Sequence, residues 1–164
     1  MIVHSEGETM KKLLIALGLG LVFSTSLFAI SGPYADVFIS QLKENSKYVK
    51  FITPQTLHDW IQKDKDFAIL DVREPDEWKA GEIDWPEYYE IPRGFVDVMA
   101  AQGAIDPKKV YVVVCAKGGR ATLAGGELAK LYHFKHIYVL KGGMKGWLKA
   151  GYPVINKLGE LYFK

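Results

Sequence analysis

The stretch at residues 111–131 most constrains the fold, because its pattern changes within a few residues from a buried strand to a helix. Residues 111–114 are apolar and largely β-branched, as in strands buried on both faces. Beyond a short loop, leucines recur at helical spacing, at Leu123, Leu128 and Leu131. The loop begins with Cys115, the one cysteine of the 164 residues. A strand that leads into a helix in this way places the loop at the carboxyl end of a sheet, which suits an anion or a nucleophile.

The same alternation continues on both sides of this stretch. Apolar runs that predict strands alternate with patterns that predict helices from about residue 48 to residue 150. We therefore predict one α/β domain with a mainly parallel sheet, at residues 49–156. An amphipathic helical segment is predicted before it at residues 32–48, and a C-terminal tail after it at residues 157–164.

Composition excludes several classes of protein. The net charge is +2 with charges of both signs scattered along the chain, so we expect no nucleic-acid partner. The histidines lie far apart without metal-ligand spacing, so we predict no metal site. No glycine pattern of the dinucleotide-binding kind occurs, and we expect no cofactor.

The first 31 residues have the pattern of a targeting signal. Lys11 and Lys12 precede an apolar run at residues 13–23, and the smaller residues Ser24, Thr25 and Ser26 follow. We predict an N-terminal extension and signal peptide at residues 1–31, with translation starting at Met10. Cleavage after Ala29 or Ser31 would export the protein, with the periplasm as the expected compartment. The alternative is an uncleaved anchor that leaves the domain facing the periplasm, and it is the only contact with a membrane that we expect.

Export would make the single cysteine a candidate for a functional role. Cysteines of exported proteins usually pair as disulfides, and an unpaired one is a candidate reactive thiol. The alternative is that Cys115 is an inert, buried apolar side chain.

Three motifs in one order resemble the single-domain rhodanese family over about residues 52–154. They are Asp71-Val-Arg-Glu-Pro-Asp-Glu-Trp78, Cys115-Ala-Lys-Gly-Gly-Arg120, and Leu140-Lys-Gly-Gly-Met-Lys-Gly-Trp147. The resemblance implies a five-stranded, mainly parallel sheet flanked by helices. It also implies transfer of sulfane sulfur through a cysteine persulfide.

The loop residues support this chemistry. Backbone N–H groups at the start of a helix and the helix dipole favour a negative sulfur, and nearby cations favour the thiolate form of a cysteine. We predict Cys115 as the nucleophile and Arg120 as its cation, the alternative for Arg120 being a solvated surface side chain. The expected substrate-binding loop consists of Ala116, Lys117, Gly118, Gly119 and Ala121, with Lys117 either attracting an anionic donor or simply solvated.

Three further residues are candidates for the rim of the pocket, because each lies near the end of a predicted strand. They are Asp71, Arg73 and Arg93. The alternatives are a structural hydrogen-bonding role for Asp71, an ion pair with an acidic neighbour for Arg73, and a surface position for Arg93.

The sequence therefore predicts a sulfurtransferase that moves sulfur from thiosulfate or polysulfide to a nucleophilic acceptor. Four residues separate Cys115 from Arg120, whereas phosphatases related to this fold have five, so the resemblance favours sulfur over phosphate. An alternative is an exported carrier or sensor that passes its persulfide only to a protein partner. A third hypothesis is an interaction domain without chemistry. The choice of acceptor stays open, because residues 81–88 depart from the family pattern by acidic and aromatic side chains.

Overall fold

A parallel sheet of five strands forms the centre of the computed structural model, which describes residues 32–162. The strand order is β1-β5-β4-β2-β3, and each neighbouring pair runs parallel. The predicted α/β fold with a five-stranded parallel sheet is confirmed. The strands are β1 (Lys50–Ile52), β2 (Ala68–Asp71), β3 (Tyr88–Glu90), β4 (Val110–Val114) and β5 (His136–Leu140).

Helices cover both faces of this sheet. They are α1 (Ala35–Ser46), α2 (Pro54–Gln62), α3 (Pro75–Trp78), α4 (Val96–Ala101), α5 (Gly119–Leu131) and α6 (Gly143–Lys149). A 3-10 turn at Arg93–Phe95 leads into α4. Thr53 caps α2 by accepting a hydrogen bond from the N–H of Thr56 at 3.0 Å.

The central strand β4 explains why the core has two halves. Tyr111 and Val113 pack in the apolar cluster on one face of the sheet, whereas Val112 and Val114 pack in the cluster on the other. All four side chains are fully buried. Because successive side chains of a strand point to opposite faces, a continuous apolar run is needed wherever both faces are covered.

Helix α1 packs closely on the middle of α5. A Cβ atom added at Gly126 would lie 2.4 Å from the Cβ of Asn45, and one at Gly125 would lie 2.8 Å from Ile137. Lys130 of α5 also forms an ion pair with Glu44 of α1. Glycines at these two positions therefore let α1 and β5 approach the backbone of α5.

A short antiparallel hairpin spans the border between the predicted domain and the tail predicted at residues 157–164. It consists of β6 (Val154–Asn156) and β7 (Gly159–Leu161). Ile155 also exchanges two backbone hydrogen bonds with Glu82, each 2.9 Å long. These partners are distant in sequence, and strands of three residues carry too little pattern to be recognised.

Several predictions fall on other parts of the chain. The extension, the signal peptide at residues 1–31, the start at Met10 and the last two residues of the tail lie outside the described residues. The sheet and its hairpin lie in one compact unit, Asp36–Lys164. Within residues 32–162, the helices lack the length and apolar character needed to cross a bilayer.

Candidate active site

The sulfur of Cys115 lies where β4 ends and the loop to α5 begins. The residue is only 1% exposed and is not part of a disulfide. Its Sγ accepts hydrogen bonds from the backbone N–H of Gly118 at 3.1 Å and from that of Ala121 at 3.4 Å. These donors lie at the start of a 13-residue helix, so the helix dipole adds to their effect on a negative sulfur. Of the predicted loop residues, Gly118 and Ala121 thus contact the Cys115 sulfur.

Gly118 lets the loop close over the sulfur. Its φ of +103° lies in a region that side chains rarely adopt, and its carbonyl accepts from both the N–H and the hydroxyl of Thr122 at 2.9 Å. The backbone changes direction at Gly118, immediately before α5 begins. This change of direction points the N–H of Gly118 towards Sγ.

The other side of the loop rests on the first turn of α6. The carbonyl of Cys115 accepts from the N–H of Met144 at 2.8 Å, and that of Ala116 accepts from Lys145 at 3.0 Å. Gly143 makes this approach possible, because a Cβ there would lie 2.1 Å from the Cys115 oxygen. The loop is therefore held by backbone on two sides.

Arg120 is bound by a carboxylate of α3. Its two terminal nitrogens donate to the two oxygens of Glu77, both at 2.7 Å. The hydrogen bonds from Arg120 lower the pKa of Glu77 from its ordinary 4.5 to about 2, and the same pair raises the pKa of Arg120. The Arg120 guanidinium is thus hydrogen-bonded to Glu77, and it also lies close enough to Cys115 for a negative sulfur to contribute to the raised pKa of Arg120.

Asp71 and Arg73 form a buried ion pair, and the hydroxyl of Tyr88 is hydrogen-bonded to the Asp71 carboxylate. Nε of Arg73 donates to both oxygens of Asp71, Nη2 donates to Oδ2 at 2.6 Å, and the Tyr88 hydroxyl donates to the same oxygen at 2.7 Å. Burial, and then the Asp71 charge, raise the pKa of Tyr88, so this hydroxyl stays protonated. Arg73 also donates to the carbonyls of Glu77 and Gly81, each at 2.9 Å.

The rim position predicted for Asp71 and Arg73 does not agree with this burial, since the two residues are 0% and 4% exposed. Four of the five N–H groups of Arg73 donate to the Asp71 carboxylate and to the carbonyls of Glu77 and Gly81, so this side chain is anchored within the fold. Their contacts are those of a structural clamp, which fixes the backbone of Glu77.

Arg93 and Lys117 lie in different settings. Arg93 pairs with Glu127 of α5 and lies 3.8 Å from Asp97, so its guanidinium joins the start of α4 to α5. Residue 127 is two turns along α5 from Arg120. Lys117 is exposed in the loop.

Sequence reasoning missed Glu77 and Gly143. The Glu77 carboxylate accepts a hydrogen bond from the N–H of Glu74 at 3.0 Å, at the start of its own helix α3. Its other partner, Arg120, is 43 residues away in the sequence, so the sequence did not indicate this pair. Gly143 lies in the third sequence motif, which indicated the family resemblance but no role for this residue. Phe38 of α1 was missed as well, and its ring would lie 3.7 Å from a Cβ at Gly119.

A cavity of about 190 Å³ lies away from this loop, between α2, α6 and the hairpin. His58, Trp147, Ile83 and Glu160 line it, and residues 115–121 do not. The loop is the candidate site, because the backbone N–H groups that donate to the Cys115 sulfur are found there. Among residues 32–162, no group of three or more histidine, cysteine or carboxylate side chains is arranged to hold a metal.

Comparison with known proteins identifies relatives of this domain. The model of the rhodanese-like domain family matches residues 53–150. The chain is 31% identical over 99 residues to YtwF of Bacillus subtilis, which is named as a sulfurtransferase, covering 60% of this chain and 90% of that protein. It is 29% identical over 102 residues to the probable adenylyltransferase/sulfurtransferase MoeZ of Mycobacterium tuberculosis, covering 62% of this chain. The match spans only 25% of the length of MoeZ.

A solved structure of similar size matches more of the chain. The polysulfide-sulfur transferase of Wolinella succinogenes, described as a homodimer, is 34% identical with a TM-score of 0.62. The match covers 76% of this chain and 91% of that protein.

Replacing Gly143 by alanine should loosen the loop. The φ of +57° costs an alanine about 1–2 kcal/mol, and the overlap with the Cys115 oxygen must move α6 away from the loop. We expect the free energy of unfolding to fall by about 2–4 kcal/mol in urea titrations. Cys115 should also react faster with iodoacetamide.

Gly151 is the matched control for this experiment, because its φ is +82° and nothing lies within 4 Å of an added Cβ. Gly151→Ala should cost about 1–2 kcal/mol for backbone conformation alone and leave the thiol reaction unchanged. Equal losses in the two variants would contradict the close approach of α6 to the loop.

Replacing Glu77 by glutamine should remove a pH-dependent part of the stability. Because the pKa of Glu77 is lower in the folded protein, the unfolded chain binds more protons as the pH falls from 4.5 towards 2, and stability is lost in that window. The pair is about one-third exposed, at 32% and 34%, so solvent screens it and we expect about 1 kcal/mol at pH 7. Wild type and Glu77→Gln should therefore differ at pH 7 and converge near pH 2 in urea titrations.

Asp76→Asn is the control on the same helix, since Asp76 pairs with Lys79 in a fully solvated position, at 91% and 75% exposure. Its stability should stay close to that of the wild type throughout. Parallel pH curves for wild type and Glu77→Gln would show that Glu77 does not stabilise the fold through Arg120.

Proposed function

The chain belongs to the rhodanese-like domain family, and we propose that it is a sulfurtransferase that carries sulfane sulfur as a persulfide on Cys115. The observation that carries this proposal is the Sγ atom at hydrogen-bonding distance from the N–H groups of Gly118 and Ala121. Preorganised donors of this kind stabilise a thiolate before the reaction and a negative persulfide after it.

The first half of the reaction loads the sulfur. The Cys115 thiolate attacks the outer sulfur of thiosulfate, the S–S bond of the donor breaks, and sulfite leaves with the electron pair. The product is a persulfide anion, so the negative charge moves outward by one atom and stays near the loop N–H groups. With polysulfide as donor, the leaving group is the shortened polysulfide.

The second half returns the enzyme to its starting state. A nucleophilic acceptor attacks the outer sulfur of the persulfide, and the Cys115 thiolate leaves. Because Cys115 is 1% exposed, a small nucleophile or a narrow side chain of a protein acceptor suits the site better than a bulky group. Cyanide satisfies this condition and is converted to thiocyanate.

The compartment is part of the proposal. The basic, apolar and small residues at positions 11–26 support export to the periplasm, where a solitary thiol that is not tied in a disulfide remains available for reaction. The Wolinella relative carries polysulfide in its name, which supports polysulfide beside thiosulfate as the donor class.

Loading should be visible as added mass on a single residue. After incubation with thiosulfate or polysulfide, the intact mass of the reduced wild-type protein should rise by one sulfur atom, and cyanide should remove it. Cys115→Ala should form no adduct and should lose thiosulfate-to-cyanide transfer to the background rate.

Thiosulfate-to-cyanide transfer at the wild-type rate by Cys115→Ala would contradict the proposal. An adduct that forms on Cys115 but is not removed by cyanide would replace it by the carrier hypothesis, in which only a protein partner takes the sulfur. Protein alkylated with iodoacetamide serves as the control for donor bound without reaction.

Export should be visible in the native protein. We expect the mature chain in the periplasmic fraction, with an N terminus at Ile30 or Gly32 by N-terminal sequencing. Recovery of the uncleaved chain in membranes washed with carbonate would support the anchored alternative instead.

A further inference from the structure

The guanidinium groups around the site are already committed to carboxylates. Arg120 binds Glu77 through two hydrogen bonds, Arg73 binds Asp71 in the interior, and Arg93 binds Glu127. A guanidinium whose charge is matched by a carboxylate contributes little net attraction for an approaching anion. The proposed donors, thiosulfate and polysulfide, are dianions, so the positive charge that attracts them has to come from other residues.

The turn between β5 and α6 brings two lysines to the loop. A Cβ atom added at Gly118 of the loop would lie 3.7 Å from the carbonyl oxygen of Leu140 and 3.8 Å from the backbone nitrogen of Gly142. Lys141 stands between these two residues, and its N–H donates to the carbonyl of Ile52 at 2.9 Å. The N–H of Lys145 donates to the carbonyl of Ala116 at 3.0 Å. Both residues therefore have their backbones fixed at the border of the loop.

These two lysines also differ from other cations in their surroundings. Both are exposed, and within residues 32–162 neither forms a salt bridge. In contrast, Lys79, Lys109 and Lys130 each pair with a carboxylate. A solvated ammonium group without a carboxylate partner keeps its full charge for an approaching anion.

We propose that Lys141 and Lys145 are the residues that select a dianionic sulfur donor, and that Arg120 has a positioning role through Glu77 instead. This inference rests on the proposed sulfur transfer to Cys115. The lysines attract the donor before the reaction, so they act on the concentration of donor that half-saturates loading. The rate at saturation depends on the sulfur and the loop N–H groups.

Two donors that differ by one charge can test this inference. Thiosulfate is a dianion that transfers its outer sulfur to the Cys115 thiolate and releases sulfite. Methanethiosulfonate is a monoanion that transfers its terminal sulfur in the same way and releases methanesulfinate. In each case one S–S bond forms at Cys115 and one S–S bond of the donor breaks, with the electron pair leaving on the sulfur oxyanion.

The experiment measures single-turnover loading of Cys115 by intact mass, as a function of donor concentration. Wild type is compared with Lys141→Gln, with Lys145→Gln and with the double variant. Glutamine keeps most of the side-chain length and removes the charge. Reaction with iodoacetamide, which is neutral, reports whether the thiol itself has changed.

We expect each substitution to raise the half-saturating concentration of thiosulfate about 3- to 10-fold, and the double substitution about 10- to 100-fold. Because electrostatic energy is proportional to the charge of the donor, the effect on methanethiosulfonate should be about the square root of that on thiosulfate. The rate at saturation and the reaction with iodoacetamide should stay at wild-type values. Raising the ionic strength should reduce the difference between wild type and the variants.

Lys135→Gln is the matched control. Lys135 is also exposed and without a salt bridge within the described residues, but it precedes β5, whereas Lys141 follows it. The five residues of β5 lie between the two lysines, and extended chain over these six positions spans about 20 Å, well beyond the screening length of about 8 Å at 0.15 M salt. This variant should load both donors as the wild type does.

Three outcomes would overturn the inference. An unchanged half-saturating concentration of thiosulfate in the double variant would exclude a role of these lysines. Equal losses with both donors, or an equal loss in Lys135→Gln, would show an effect that does not depend on donor charge at this site. Failure of the wild type to load either donor would instead refute the proposed function, which keeps the two failures distinct.

Discussion

The position of the Cys115 sulfur depends on the close contact between two turns of backbone. The carbonyls of Cys115 and Ala116 accept hydrogen bonds from the first turn of α6, and this contact requires that Gly143 have no side chain. With its carbonyls held on that side, the loop turns its N–H groups inward, where those of Gly118 and Ala121 meet Sγ. A site built from backbone donors needs no reorganisation when negative charge develops on sulfur.

A second constraint is the pairing of charges around this loop. From Tyr88 through Asp71 and Arg73, hydrogen bonds reach the carbonyl of Glu77, whose carboxylate then binds Arg120. The buried hydrogen bonds of Tyr88, Asp71 and Arg73 fix the segment after β2. The more exposed pair of Glu77 and Arg120 joins α3 to α5. Breaking a buried pair leaves an unmatched charge and is costly, so these residues are tied to the fold whatever the chemistry. Within residues 32–162, Lys141 and Lys145 beside the loop form no salt bridge.

Much of the fold could be read from local patterns. The apolar run at residues 111–114 predicted a strand buried on both faces, and the leucines beyond the loop predicted a helix, as the structure has them. The hairpin at β6 and β7 could not be read, because it is stabilised by backbone pairing of Ile155 with Glu82, far away in the chain. Likewise, nothing local indicated that Asn45 would lie against Gly126.

The sequence by itself determined the α/β class, the strand, loop and helix around Cys115, and the candidate nucleophile, since each follows from residues that are close together in the chain. Only the tertiary structure decided the partners of the charged groups. Arginine donors have no preference in sequence among several nearby carboxylates, and Arg120 meets Glu77 because α3 and α5 both begin at the carboxyl edge of the sheet. For the same reason, the backbones of Lys141 and Lys145 came to border the loop of Cys115 only when β5 took its place beside β4.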